Sequence, residues 1–378
     1  MARPLIIYLC DTYPSSAQPL AGLTYRDHAR ALSQVADVAV LSIEIPDWWQ
    51  ARRRKPEEYS GYEDSIWIWS GSWPVASHKF AGWKLKAEQE AILAGFHRVE
   101  REFGRRPDFL IAHNVLPAGR WARWIHENYG NKFGTIEHVS HLERMLKNEF
   151  EEIIKIYSKT SFIAGVSNSV KDLLIGYLPE SMHDYVGVVG NVIGHEFQTA
   201  DLKSPPEMPF RWLFIGDDTF RNGPELLHEV FSGLDHTDWQ LTIVGDGDFN
   251  TLKNDNELKN NISFRPLNDR SEMVDILQNH HALISTSHVE PFGMPILEMM
   301  SAGRPVVSTR SGGPEDFVTE DCGILANVGN AEELGDAVNQ LQKEYHKYDL
   351  QKIRDHALQR YGQRIYAERI LNLIKVFT

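Results

Sequence analysis

Two glutamates, Glu290 and Glu298, bracket seven residues within HALISTSHVEPFGMPILEMMSAGRPVVSTRSGGPEDFV, residues 281–318. Carboxylates accept hydrogen bonds from hydroxyls, which sugars and riboses both offer. The stretch reads strand, loop, helix, strand, loop, helix. Pro295 suits the first turn of a helix over 295–302, where its missing N–H costs nothing, and Gly303 suits the left-handed residue just past its end. The N-terminus of that helix follows Phe292, Gly293 and Met294 and presents free N–H groups at a positive dipole end. A phosphate fits there, so a diphosphate sugar placed near Gly293 has a carboxylate on either side of it.

Two histidines are candidates for proton chemistry. His113 ends the run FLIAH, and His138 stands near the end of FGTIEHV. An imidazole donates hydrogen bonds and shares a proton near neutral pH. The alternative for His113 is to satisfy the N-terminus of a helix near 117–124; for His138 a structural role is equally open. The two cysteines, Cys10 and Cys322, lie far apart and outside any CxxC pattern, which argues against a disulfide framework or a zinc site and points to a reducing compartment. No metal ligand set and no cofactor are read.

A net charge of −13 makes duplex nucleic acid an unsuitable partner, since phosphate backbones need clustered cations. The charge is uneven, however. Arg52, Arg53, Arg54 and Lys55 follow Trp48 and Trp49, and Trp67, Trp69, Trp73 and Trp83 come with Lys79, Lys84 and Lys86. This region reads as a platform on which sugar rings stack, as a patch resting on anionic lipid at the inner membrane face, or as core with a solvated basic face.

These groups need a scaffold. The 378 residues, 42% hydrophobic and 24% charged, suit a water-soluble protein of two domains. Short apolar runs alternate with helical patterns: LIIYL, a helix near 22–34, VAVLSI, FLIAH and SFIAGV, then RWLFIG, WQLTIVG, ISFRP, HALISTS, RPVVST and CGILA. Such alternation predicts parallel sheets flanked by helices, here two Rossmann-like domains. The polar, proline-bearing stretch 194–209 separates them, and ligands of doubly wound sheets sit at the carboxyl ends of strands, so two such domains facing one another place a ligand in the cleft. The opening run is too short for a signal peptide or a span, so the expected location is cytoplasmic. On periodicity alone the last helix, about 358–378, packs on either domain.

Glu290 and Glu298 at this spacing, followed by AGRPVV and SGGPEDFV, resemble the signature of family 4 retaining glycosyltransferases. Gly22 in the first βα loop, PDFLIAH, GVSNSVKDLL, VVGNV, LTIVGDGD and CGILANVGNAEEL follow in the family's order, so the resemblance spans both halves. It implies the GT-B fold: two Rossmann-like domains across a cleft, with a final helix crossing back, giving an acceptor domain of 1–193 plus 358–378 and a donor domain of 194–357. It implies a nucleotide-sugar donor, UDP or GDP unresolved, with Glu290 on the transferred sugar, Glu298 on the ribose, and the backbone of Phe292, Gly293 and Met294 on the sugar and distal phosphate. Gly22 and Pro295 join the donor set, Arg265 and Leu267 lie where the family places the base, and His113 and His138 lie near the reacting carbon. The acceptor would be a glycan, a lipid-linked saccharide or a small molecule. One departure stands out. Where the family neutralises the diphosphate with an arginine and, five residues later, a lysine, this chain has Asp217 and Asn222. Arg221, with Arg310 or Arg304 less directly, is the remaining source of positive charge; without it the chain reads as a non-catalytic partner subunit. A sugar-nucleotide epimerase on the same fold is a further alternative.

Overall fold

The computed structural model describes residues 3–15, 18–44, 57–72, 81–138, 142–234, 238–267 and 269–377. It divides into two compact units. The first runs to Val166, resumes over Val170–Val192 and closes with Gln363–Thr378; the second comprises Ile193–Gly362 with Ser167–Ser169.

The first unit is built on β1 (Leu5–Cys10), β2 (Asp37–Glu44), β3 (Glu57–Glu63), β4 (Ile66–Ser72), β5 (Phe109–His113), β6 (Phe133–Glu137), β7 (Ile163–Gly165) and β8 (Val186–Val188). Their order is β3-β4-β2-β1-β5-β6-β7-β8, parallel except for the β3–β4 pair. The run LIIYLC is buried at every position because a central parallel strand is covered on both faces. The β3–β4 hairpin departs from the βα alternation expected of the sequence. It buries Trp67 and Trp69, the latter against Gly95, where a Cβ would lie 2.4 Å from the indole. These two tryptophans are therefore core, which removes them from any acceptor platform or lipid patch. Trp48, Trp49, Trp73, Arg52–Lys55 and Lys79 lie outside the described residues, as do the side chains of Trp83 and Lys84.

The second unit carries β9 (Phe210–Ile215), β10 (Trp239–Val244), β11 (Ile262–Arg265), β12 (Ala282–Ser285), β13 (Val306–Thr309) and β14 (Gly323–Ala326), all parallel, in the order β11-β10-β9-β12-β13-β14. Its core gathers Trp212, Phe214, Phe231 and Trp239 with aliphatic residues of the helices Pro224–Ser232 and Ala331–Glu344. Each of the six apolar runs read from this half of the chain is a strand.

The last helix, Gln363–Phe377, belongs to the first unit. Tyr366 and Ile370 are fully buried, Gln363 accepts from the Gln34 amide at 2.7 Å, and Arg369 donates to the Val189 carbonyl at 3.2 Å. Both units are thus doubly wound sheets, and each has a point where successive strands leave in opposite directions. In the first it lies between β1 and β5, in the second between β9 and β12. Ligands of open α/β sheets bind at the carboxyl ends of strands at such points.

Candidate functional site

In the second unit the switch point brings together the turn after β9 and the loop after β12. Gly223 (φ +65°) lies so close to the strand end that a Cβ would sit 2.2 Å from the Thr286 carbonyl oxygen. The Thr286 hydroxyl lies 2.7 Å from the Asn222 carbonyl and 2.9 Å from that of Gly223, and the His288 N–H donates to the Arg221 carbonyl at 2.8 Å. Arg221, an exposed cation, is held beside Glu290 by this stitching.

Glu290 is anchored by its backbone. Its N–H donates to Ser311 at 2.9 Å and its carbonyl accepts from Gly313 at 2.7 Å, joining the loops after β12 and β13. A Cβ at Gly313 would meet the Phe292 Cα at 2.2 Å, so that approach needs glycine. Burial pushes the Glu290 carboxyl above the ordinary range, opposed by the Arg221 charge and the N–H groups of Phe292 and Gly293. The helix spans Met294–Ser301, beginning one residue before the expected start, with Gly293 (φ +98°) as its cap and Pro295 in the first turn. Gly303 (φ +73°) follows its end. The first turn sits beside Glu290, whose Oε1 accepts the Phe292 N–H at 3.3 Å, and Glu298 lies one turn inward, its carboxylate 3.2 Å from the Arg270 guanidinium.

The positions occupied by Asp217 and Asn222 are bonded to one another: the Asn222 amide donates to Asp217 Oδ1 at 2.5 Å, and the Thr219 hydroxyl donates to the same oxygen. Burial would raise the Asp217 carboxyl, but the Thr219 hydroxyl and N–H, the Arg221 charge and the Asn222 amide together hold it below the ordinary range. Arg304 is fully buried and donates to the carbonyls of Lys203 (3.0 Å), Ser204 (3.1 Å) and Gln278 (3.1 Å), so it ties loops together and supplies no charge to a diphosphate. Arg310 is exposed. Arg265 ends β11 and pairs with Glu272 at 2.5 Å, with Leu267 partly buried two residues on.

In the first unit the switch point holds Gly22 and the histidines. Gly22 (φ +69°) caps the helix Leu23–Ser33, and a Cβ there would lie 2.7 Å from the Thr12 carbonyl oxygen. His113, fully buried, places its Nδ1 2.9 Å from His138 Nε2. A helical segment, Val115–Gly119, follows closely and runs into the helix Arg120–Tyr129, so His113 has a histidine partner and also stands just before a helix start. Its Nε2 is buried without a hydrogen-bond partner among the described residues. Tyr25 stacks on the ring at 4.7 Å. Asn114, in a left-handed conformation (φ +69°), accepts the His138 N–H at 2.9 Å and donates to the Tyr25 hydroxyl at 3.0 Å.

The sequence reading missed His28. It sits on the helix Leu23–Ser33, its Nε2 3.1 Å from Asn191 Oδ1 and its Nδ1 2.8 Å from the Tyr366 hydroxyl. No local pattern distinguishes it in YRDHARAL; only the sheet order brings that helix beside the end of β5. Burial, then the charge of His138, pushes His28 and His113 well below the ordinary histidine range, and burial pushes His138 down to about 3. At neutral pH all three are uncharged rings. Nitrogens of the three lie within 4.8 Å of one another, a donor set suited to a transition-metal ion. Both nitrogens of His28, and those joining His113 to His138, already serve protein hydrogen bonds.

Comparisons with known proteins bear on both units. Residues 198–362 match the model of the family glycosyl transferases group 1. The chain is 28% identical over 133 residues to an uncharacterised glycosyltransferase of Methanocaldococcus jannaschii, covering 34% of this chain and 37% of that protein. It is 29% identical over 262 residues to the lipopolysaccharide core biosynthesis glycosyltransferase LpsE of Rhizobium meliloti, covering 65% of this chain and 67% of the other. Among solved structures, the sucrose-phosphate synthase of Thermosynechococcus elongatus matches over 99% of both chains with a TM-score of 0.75 at 14% identity. Anabaena HepE in complex with UDP and glucose covers 99% of this chain and 100% of its own, with a TM-score of 0.72 at 15% identity. No described helix is long and apolar enough to cross a membrane. Residues 198–362 are thus similar to glycosyl transferases group 1, and both units carry the Rossmann-like sheets of the GT-B fold.

Proposed function

We propose that the protein is a retaining glycosyltransferase that moves a hexose or related sugar from a nucleoside diphosphate to a glycan, a lipid-linked saccharide or a small acceptor. The observation that carries this is the β12 loop: a partly buried Glu290 fixed through its backbone, followed at once by the N-terminus of Met294–Ser301 capped by left-handed Gly293. In this reading the N–H groups of Phe292, Gly293 and Met294 take the distal phosphate, Glu290 takes the sugar hydroxyls, Glu298 the ribose, and the strand end at Arg265 and Leu267 the base. Arg221 supplies the charge that Asp217 and Asn222 do not. The departing diphosphate accepts the acceptor's proton, and stabilisation of that leaving group dominates the rate. His113 and His138, neutral and bonded to each other, orient hydroxyls. The UDP bound by the similar Anabaena HepE supports a nucleotide donor, and LpsE supports a saccharide acceptor; an inner-face, peripheral location would suit a lipid-linked one.

The test is thermal shift against UDP, GDP, ADP and their sugar conjugates. A nucleotide that binds the native state raises the melting temperature with concentration over Kd. The shift should appear with one base and vanish in Glu298→Ala; no shift with any of them sinks the donor site. A second reading, a non-catalytic nucleotide-sugar-binding partner, draws on the mutual bond of Asp217 and Asn222, which leaves that turn without a cation of its own. Nucleotide binding without donor hydrolysis or transfer to any acceptor would favour it.

A further inference from the structure

From the geometry around the second glutamate we infer that Arg270 is the positioning residue of the donor site: it fixes the carboxylate of Glu298 for the ribose hydroxyls, and is itself held by Glu196. This rests on the donor-site reading above and deepens it. Arg270 stands at the start of the helix Ser271–Gln278, its side chain only 9% exposed. Its Nε lies 2.7 Å from Glu196 Oε1 and its Nη2 3.2 Å from Glu298 Oε1, so one planar cation bridges two carboxylates. The guanidinium also lies 5.1 Å from the centre of the Phe197 ring. Glu196 and Phe197 come from the short helix His195–Thr199, and Gly194 just before it leaves room for the cation, since a Cβ there would sit 2.5 Å from Nη2.

Why should an arginine be spent here? Glu298 is on the second turn of the helix, its side chain 12% exposed. A carboxylate so enclosed keeps its charge and one orientation only if a cation compensates the lost hydration. Arg270 does both, because its fork cannot lose its proton and its planar donors fix direction as well as distance. Glu196 balances the second half of the fork and stops the guanidinium from swinging away. The unit that holds the ribose is therefore three residues from three elements, two of which sit outside the glutamate signature.

The experiment measures binding of UDP, GDP and ADP, and of their 2′-deoxy and 3′-deoxy analogues, by calorimetry on the full chain. The intact protein should prefer the ribonucleotide. Arg270→Gln should weaken the ribonucleotide about tenfold while leaving the deoxy analogue nearly unchanged, so the preference collapses. Gly194→Ala should do the same in part, because its methyl group displaces only the tip of the arginine, and Glu196→Gln should fall between. In the double variant with Glu298→Gln, the Arg270 substitution should add nothing to the loss of preference. Variants that bind the ribonucleotide and discriminate as the intact chain does overturn the role of Arg270 alone. An intact chain that binds none of the three nucleotides overturns the donor-site reading, and this inference with it.

Discussion

Glu137 shows how a single buried acid shapes the first unit. It ends β6, fully buried, and accepts the Val115 N–H at 3.0 Å, pinning the turn that follows His113. Burial pushes its carboxyl up to about 7, against the lowering effect of the Val115 N–H and the hydroxyls of Tyr157 and Thr135. The folded state therefore holds this proton more tightly than the unfolded chain. The contribution is complete below the unfolded value of 4.5 and is lost as pH rises through about 7, amounting to about 3 kcal/mol. Urea unfolding midpoints of Glu137→Gln should consequently fall less than those of the intact protein between about pH 5 and 8; equal slopes would show that the acid is not protonated in the fold. His28 and His113 act with the opposite sign. Their lowered values give stability that is present above the unfolded 6.5 and is lost as pH falls below it. Acid should therefore loosen this cluster from one side while base loosens it from the other.

Among the elements, the loop after β13 matters for a reason its residues only half disclose. Gly313 is pressed against Phe292, so Gly313→Ala should push the Phe292–Met294 segment off the helix axis and weaken nucleotide binding more than it lowers the melting temperature. Calorimetry and thermal melts on the same sample would separate the two effects, and unchanged affinity would count against that segment as the phosphate cradle. The string at 281–318 is readable because each of its elements is short and punctuated by proline or glycine, and each apolar run of the second unit is bounded likewise. The β3–β4 hairpin was not readable in that way. Tyr59, Trp67 and Trp69 carry strand propensity, but nothing local says that β4 lies parallel to β2 with β3 antiparallel at the edge. His28 and Arg270 escaped for a related cause: each acts through partners more than a hundred residues away or on other elements, and spacing along the chain encodes neither.

At the scale of the whole chain, the first unit is assembled from separated segments. Tyr366 and Ile370 are buried within it, and the Tyr366 hydroxyl meets His28 Nδ1 at 2.8 Å. Deleting the residues after Gly362 should therefore strip hydrogen-exchange protection from the helix Leu23–Ser33 and from β1, while β9 to β14 keep theirs. Equal loss in both units would mean that they unfold as one. The periodicity of the last helix could not choose between these homes; the resemblance to a known fold could, because connectivity is a property of the whole architecture.

That placement has a consequence for how the protein is made. A ribosome delivers β1 before the second unit, and the helix that covers its neighbours only after that entire unit has emerged. During synthesis the later-born unit is the earlier one able to finish, while the apolar groove awaiting Tyr366 and Ile370 stays open to chaperones or to aggregation until the helix Gln363–Phe377 emerges. A chain stalled near Gly362 would be a half-ripe product: one unit closed, the other holding His28 without its last hydrogen bond.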